Sequence, residues 1–125
     1  MTARLLIAIA SILGALSVAG GAFGAHALKD RLTEKALATF ETGIRYQMYH
    51  ALALLLVGLL MQQQPESSGL ANVGWAFILG VVIFSGSLYG VSLSGVKILG
   101  AVAPIGGVAF IAGWLMLAWA AISKG

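Results

Sequence analysis

Residues 20 to 30 read GGAFGAHALKD, and they close a long apolar run that begins after Arg4. Two interpretations compete for this run. A basic residue, an apolar stretch and the Ala25-His26-Ala27 triplet together resemble a secretory signal with an A-x-A cleavage site. The same run is also long enough to be a permanent membrane-spanning helix. Because the sequence carries it from Met1 onward, we expect it to be retained as a helix.

The composition of the whole chain favours a membrane protein. Of its 125 residues, 60% are hydrophobic and 9% are charged, with a mean hydropathy of +1.00. Soluble domains carry roughly 25% charged residues, so this chain could not cover a globule with polar side chains. It has no cysteine, which excludes disulfides, thiolate metal sites and cysteine nucleophiles. The net charge of +3 is spread between apolar runs, so we expect no nucleic-acid partner.

Four apolar stretches are long enough, or nearly so, to cross a bilayer, which takes about 20 residues. They are residues 5–28, 46–61, 70–91 and 98–122. All four acidic residues and all seven Lys and Arg residues lie outside them, as the cost of a charge within the bilayer requires. The sequence therefore predicts an all-α integral membrane protein. Residues 1–125 would form a single membrane domain, with four transmembrane helices in a compact bundle.

The connector of residues 30–44 is the one amphipathic part of the chain. Its apolar residues repeat at helical spacing and face away from Glu34 and Glu41, and Thr33 is suited to cap the N-terminus of a helix. We predict that the connector forms an amphipathic helix on the membrane surface between the first two spans. Because residues 46–61 are short for a span, this helix could also continue directly into the membrane near Arg45.

The basic residues predict an orientation in the membrane. With four spans, Arg4 and Lys124 share one side, whereas the other side carries Lys29, Arg31, Lys35, Arg45 and Lys97. Under the positive-inside rule, the connector and the third loop would be cytoplasmic and both termini outside. We expect the bacterial inner membrane as the location and the lipid bilayer as the surrounding partner.

Small residues recur at four-residue spacing in three of the spans, a pattern that lets helix backbones approach closely in lipid. We predict helix packing at Ser17, Gly20, Gly21, Gly24, Gly86, Gly90, Ala103, Pro104 and Gly107. Pro104 should also kink the fourth span and leave the carbonyl near Gly100 without its helical partner.

His26 and His50 are the first candidates for chemistry. The connector returns both to one side of the bilayer, where two imidazoles could hold a metal or haem or relay protons. Alternatively, each histidine hydrogen-bonds a neighbouring helix. With no third ligand at metal spacing, we predict no metal site and no cofactor. We expect both rings to face protein near the connector and to contact Tyr46 or Gln47.

Hydroxyl side chains in the third span complete the candidate site. Ser85 and Tyr89 would share one helix face, where hydroxyl groups can bond across helices. No Ser-His-acid order and no Gly-x-Ser-x-Gly elbow surrounds them, so we assign no catalytic residue. The candidate polar site comprises His26, Tyr46, Gln47, His50, Ser85 and Tyr89.

A family resemblance is carried by four stretches: GAFGAHAL at 21–28, TGIRYQMYHALALL at 42–55, IFSGSLYG at 83–90 and PIGGVAFIAGW at 104–114. In this order they resemble the signature stretches of the small membrane-protein family catalogued as domain of unknown function four-two-three, which has bacterial members and mitochondrial relatives. The resemblance implies a helical membrane protein of about this length. It supplies no reaction and no catalytic residues.

Two functions remain open. The first is a non-enzymatic protein that acts through assembly, as a homo-oligomer or as an accessory subunit of a membrane complex. It is favoured because four helices with several small-residue faces have more packing surface than they can use internally. The second is a protein that handles a small molecule, lipid or ion at the candidate polar site. A bundle filled with side chains would count against the second.

Overall fold

Four long helices make up the described part of the chain. The computed structural model describes residues 1–123, so Lys124, one of the two basic residues assigned to the terminal side, lies outside it. The helices cover Ala3–Leu28, Glu34–Gln63, Ser68–Ser94 and Lys97–Ser123, and each is long and apolar enough to cross a membrane. Residues 1–123 contain no strand. The prediction of an all-α protein with four spans is confirmed.

The second span, α2 (Glu34–Gln63), is one continuous helix that begins at the cap residue Thr33. The prediction of a separate surface helix over residues 30–44 is therefore wrong. Phe40 and Ile44 do not face lipid; they contact glycines at the end of the first span. At about 1.5 Å per residue, a 30-residue helix is roughly 45 Å long, against about 30 Å for the hydrocarbon core. The polar first turns of α2 thus extend beyond the hydrocarbon.

The third span changes helix type at its middle. It consists of α3 (Ser68–Gly80), a π-helical turn (Val81–Ser85) and α4 (Gly86–Ser94). The first span likewise ends in a π-helical turn (Gly24–Leu28), which follows α1 (Ala3–Phe23). Single π turns are rare and occur often at functional sites.

The π turn of the third span rotates the residues that follow it. In a regular helix, the residues seven and fourteen positions after the buried Phe77 would face inward again, and these are Phe84 and Val91. Instead Ser85 and Ser92 are buried, whereas Phe84 and Val91 are only partly so. A π turn holds one residue more than an α turn, which accounts for the shift. The shift exchanges two apolar residues for two serines on the inner face.

The fourth span begins with a 3₁₀ turn (Lys97–Val102) and continues as α5 (Ala103–Ser123). Pro104 lies in the first turn of α5, where a proline's missing amide interrupts no helical hydrogen bond. Pro104 lies where the span changes from a 3₁₀ turn to an α-helix, and the kink there stays a prediction. The expectation that the carbonyl near Gly100 lacks a partner is wrong, since the Gly100 carbonyl accepts from the Ala103 amide.

The spans form two antiparallel hairpins, α1 with α2 and α3 with α5. Gly20 lies opposite Ile44 in the first hairpin, and Phe77 lies opposite Gly113 in the second. α2 also contacts α3 and α4, so it is the central helix of the bundle. The core between the hairpins is filled by fully buried side chains: Leu6, Leu54, Val57, Val73 and Phe77.

The predicted packing residues of the first span share one helical face. Ser17, Gly20, Gly21 and Gly24 follow each other at spacings of three, one and three residues. A Cβ atom added to Gly20 would lie 2.6 Å from the Cδ1 of Ile44, and one added to Gly24 would lie 3.0 Å from the Cε1 of Phe40. Ser17 is buried. The backbone of the first span therefore comes close to α2 along this face.

Gly86, Pro104 and Gly107 do not pack against another helix within the described bundle. A Cβ atom added to Gly86 or Gly107 would meet nothing within 4 Å, and Pro104 is exposed. Gly90 does lie against another span, because a Cβ atom added there would lie 3.1 Å from the Cδ1 of Leu99, in the 3₁₀ turn that begins the fourth span. The π turn rotates Gly86 outward, and the late start of α5 does the same for Pro104 and Gly107.

Gly106, which the spacing argument passed over, lies directly against the backbone of another span. A Cβ atom there would overlap the backbone nitrogen and Cα of Phe84 in the π turn. Ala103, Gly106 and Phe110 are all buried, so the inner face of α5 runs at spacings of three and four from Ala103. Gly107 falls beside this face.

We expect Gly106→Ala to lower the free energy of unfolding by about 1–3 kcal/mol, because the added methyl group meets backbone that cannot rotate away. Gly107→Ala is the matched control. It should be neutral or stabilising by up to about 1 kcal/mol, because alanine favours helix and has open space there. Unfolding of the purified protein in a denaturing detergent, followed by far-ultraviolet circular dichroism, measures both. Equal effects of the two changes would contradict the packing described.

Candidate functional site

Gln47 of α2 hydrogen-bonds two other helices at once. Its Nε2 donates to the Leu13 carbonyl of α1 at 2.9 Å, and its Oε1 accepts from the Tyr89 hydroxyl of α4 at 2.6 Å. The residue is buried, with 5% of its surface exposed. Since a bilayer core offers no water as a replacement partner, this one amide ties α1, α2 and α4 together at the same level.

Ser85, the last residue of the π turn, bonds directly to the backbone of α2. Its hydroxyl donates to the Gly43 carbonyl at 2.7 Å and is fully buried. Tyr89 passes over the same glycine, because a Cβ atom added to Gly43 would lie 2.7 Å from the Cε1 of Tyr89. A side chain at position 43 would therefore displace the ring whose hydroxyl bonds to Gln47.

His50, one turn after Tyr46 in α2, uses both of its ring nitrogens. Nδ1 lies 2.8 Å from the Tyr46 carbonyl, and Nε2 lies 3.1 Å from the Nε1 of Trp114 in α5. An indole nitrogen can only donate, so Nε2 must accept and Nδ1 must carry the proton. His50 is thus a neutral imidazole that links α2 to α5.

Aromatic rings enclose this imidazole. The ring centroid of His50 lies 3.6 Å from that of Phe110, with 9° between the planes, and 5.2 Å from that of Phe77. Trp114 meets the ring at its edge, with centroids 5.9 Å apart. The imidazole is thus surrounded by aromatic side chains of the third and fourth spans.

We call the five residues that link the spans by their side chains the polar network: Gln47, His50, Ser85, Tyr89 and Trp114. Four of them belong to the predicted candidate site. Tyr46, also predicted, lies at its margin, where its ring contacts Phe84 at a centroid distance of 4.8 Å. Every helix-to-helix bond of the network ends on α2, between Gly43 and His50.

The prediction for His26 is wrong. Its side chain is exposed and makes no hydrogen bond with any residue of the range 1–123. Gly24 and Leu28 are the buried residues of this π turn, and His26 lies midway between them, on the opposite side of the helix.

The two histidines also lie at different depths, contrary to the prediction. Because the second span begins at Glu34 and not at Tyr46, His50 is several turns from its start. Gln47, three residues before His50, reaches Leu13, so His50 is level with the middle of α1. His26 is then about 12 residues away along the first span, or about 18 Å.

Trp114, a member of the network, and Gly43, whose carbonyl accepts from Ser85, were not predicted. One signal for Trp114 was available in the sequence: an imidazole within a span needs a partner in the protein, and an indole nitrogen is a donor that tolerates lipid. Gly43 carries no side-chain signal, because it contributes a carbonyl and an open space.

Each buried polar side-chain atom of the network has a hydrogen-bond partner. No buried side-chain nitrogen or oxygen of residues 1–123 lacks a hydrogen-bond partner. In the same range, no group of three or more histidine and acidic side chains could hold a metal ion. Cavities of about 430, 250 and 250 Å³ lie on the surface of the bundle, and none of these three is lined by the network. The arrangement suits a structural role that fixes four helices in one register.

The sequence of this chain matches a known protein family. Residues 20–107 match the family model described as protein of unknown function DUF423. The chain belongs to the DUF423 family. The matched range includes all of the network except Trp114, and it also covers both π turns.

Relatives of similar length are named as membrane proteins. The UPF0382 membrane protein SH2409 of Staphylococcus haemolyticus is 46% identical over 114 residues, which cover 91% of this DUF423 chain and 92% of the relative. The UPF0382 membrane protein YwdK of Bacillus subtilis is 42% identical over 119 residues, 95% of this chain and 97% of the relative. A UPF0382 membrane protein of Staphylococcus epidermidis is 50% identical over 110 residues, 85% of this chain and 88% of the relative. No solved structure matches significantly.

We expect Trp114→Phe to lower the free energy of unfolding by about 1 kcal/mol, because phenylalanine keeps an aromatic ring in place but leaves the Nε2 of His50 without its donor. Trp119→Phe is the matched control, since Trp119 is 69% exposed and makes no hydrogen bond within residues 1–123. Detergent unfolding followed by circular dichroism measures both. A loss of stability in the control as large as in Trp114→Phe would contradict this role.

Proposed function

We propose that this protein is a non-enzymatic membrane protein that acts through assembly, as a homo-oligomer or as an accessory subunit of a membrane complex. The supporting observation is a contrast between the inside and the outside of the bundle. Inside, every buried polar side-chain atom of residues 1–123 has a hydrogen-bond partner. Outside, Gly14, Gly86 and Gly107 have nothing within 4 Å of where a Cβ atom would lie. In lipid, small residues on an exposed face allow another helix to approach closely.

The groove between α1 and α2 is the most defined of these outer surfaces. It has a volume of about 250 Å³ and is lined on the α1 side by Ser11, Gly14, Ala15 and Val18. Larger residues of α2, including Met48 and Leu52, form the opposite wall. A helix of a second copy would lay its side chains into such a groove, as ridges of one helix pack into grooves of another.

The absence of an enzymatic role is part of the same proposal. The Ser85 hydroxyl donates a hydrogen bond to a backbone carbonyl and has no base beside it. The His50 ring is held between a carbonyl and an indole nitrogen. A nucleophile needs an adjacent base and room for substrate, and these contacts supply neither.

The test is native mass spectrometry of the protein extracted in a mild detergent. We expect a homo-oligomer or a complex with another membrane protein, and we expect Gly14→Leu to weaken it, because the leucine side chain would fill the groove without touching the monomer core. Leu115→Phe, which adds bulk at a position of α5 that is 66% exposed, is the control. A monomer without any bound protein would refute the proposal.

We further propose that the protein lies in the bacterial inner membrane with the connector in the cytoplasm. Five basic residues on that side, against Arg4 and Lys124 on the other, support this orientation.

Because the chain has no cysteine, single cysteines can report the orientation directly. We expect Glu66→Cys, in the turn between α2 and α3, to react with a membrane-impermeant maleimide in intact cells. Asp30→Cys, in the connector, should react only after the membrane is opened. The reverse pattern would show that the basic residues do not set the orientation.

A further inference from the structure

A cleft of about 430 Å³ lies at the connector end of the bundle, away from the polar network. Two parts of the chain form it. The start of α2 contributes Thr33, Lys35 and Thr39, and the end of the third span with the following turn contributes Ser92, Gly95 and Lys97. The volume is within the range of small-ligand sites, which is about 300–1,000 Å³.

The side chains that line this cleft carry positive charge and no negative charge. Lys35 and Lys97 line it from opposite parts of the chain, and no acidic side chain lines it. Neither lysine forms an ion pair with any residue of the range 1–123. Two unpaired ammonium groups around one cavity favour an anion, and phosphate oxygens are ordinary partners for lysine.

The hydroxyl groups of the cleft can between them donate and accept further hydrogen bonds. The Thr33 oxygen accepts from the Ala36 amide, so its proton is free to be donated to an anion. The Thr39 and Ser92 hydroxyls donate to helix carbonyls, so their oxygens can still accept. The cleft therefore suits a ligand that combines an anionic phosphate with hydroxyl groups of its own.

The position of the cleft indicates where such a ligand comes from. Lys97 begins the fourth span and Ser94 ends the third, so the cleft lies where the bundle leaves the hydrocarbon. Next to it in the chain, Leu93 and Ile98 are 55% and 74% exposed, as side chains in contact with lipid tails are. Gly95 turns the chain at a φ of 76°, a left-handed conformation in which a side chain would be strained.

We propose that this cleft binds the headgroup of an anionic phospholipid that carries a phosphodiester and free hydroxyl groups, the chemistry of phosphatidylglycerol. Lys35 and Lys97 contact the phosphate, and the acyl chains lie against the apolar residues beside the cleft. The inference is independent of the assembly proposal, since the groove between α1 and α2 shares no residue with the cleft.

The experiment is native mass spectrometry of the full chain titrated with phosphatidylglycerol or with phosphatidylcholine of the same acyl chains. We expect tighter binding of phosphatidylglycerol. The double variant Lys35→Gln/Lys97→Gln should reduce that affinity about tenfold or more, as expected for the loss of two basic contacts near the membrane surface. Lys35→Arg/Lys97→Arg should retain it and thereby exclude a folding defect.

Lys29→Gln/Arg31→Gln is the matched control, because it removes the same charge from the same end of the bundle at residues that do not line the cleft. Equal binding of the two lipids, or an equal loss in this control, would overturn the proposal. A second arm adds inorganic phosphate at millimolar concentration. Displacement of the lipid by phosphate alone would assign the cleft to a soluble anion instead.

Discussion

Hydrogen bonding without water is the constraint on which this bundle depends. In the hydrocarbon of a membrane, a polar side chain that loses its partner within the protein has no solvent to replace it. Here the partners of three other spans all converge on α2 between Gly43 and His50. Moving any span by one turn relative to α2 would break at least one of these bonds. The helices are therefore held in one register by a few side chains near the middle of the membrane.

Close packing of side chains and backbone against glycines supports the same register of the helices. Gly43 admits the ring of Tyr89, Gly20 admits Ile44, and Gly106 admits the backbone of the π turn. Dispersion contacts of this kind are individually weak, but they depend steeply on distance. Hydrogen bonds across helices in membranes are worth only about 0.6–2 kcal/mol each. The two effects together specify the arrangement better than either alone.

The sequence was sufficient to predict four spans and most of the network, for identifiable reasons. Apolar runs of about 20 residues leave few alternatives to spanning helices. Gln47, Ser85 and Tyr89 stood out because polar side chains within such runs need partners. A helix continuous through Arg45 could be anticipated, but its packing on the first span could not, because an amphipathic face that packs on α1 has the same pattern as one that lies on a membrane. His26 was misplaced although it lies two residues after Gly24, on the side of the helix away from the packing face.

The one extra residue in the π turn between Val81 and Ser85 has a consequence for how this chain can change over time. Deleting one residue there would restore a regular α-helix without rotating the residues that follow, because Ser85 and Ser92 would then lie seven and fourteen positions after Phe77 and would still face inward. A deletion in the regular helix of α4 would instead turn the residues after it by about 100°. The third span can therefore lose a residue at its π turn and keep its two serines on the inner face, whereas the same loss a few residues later would turn Ser92 away from it.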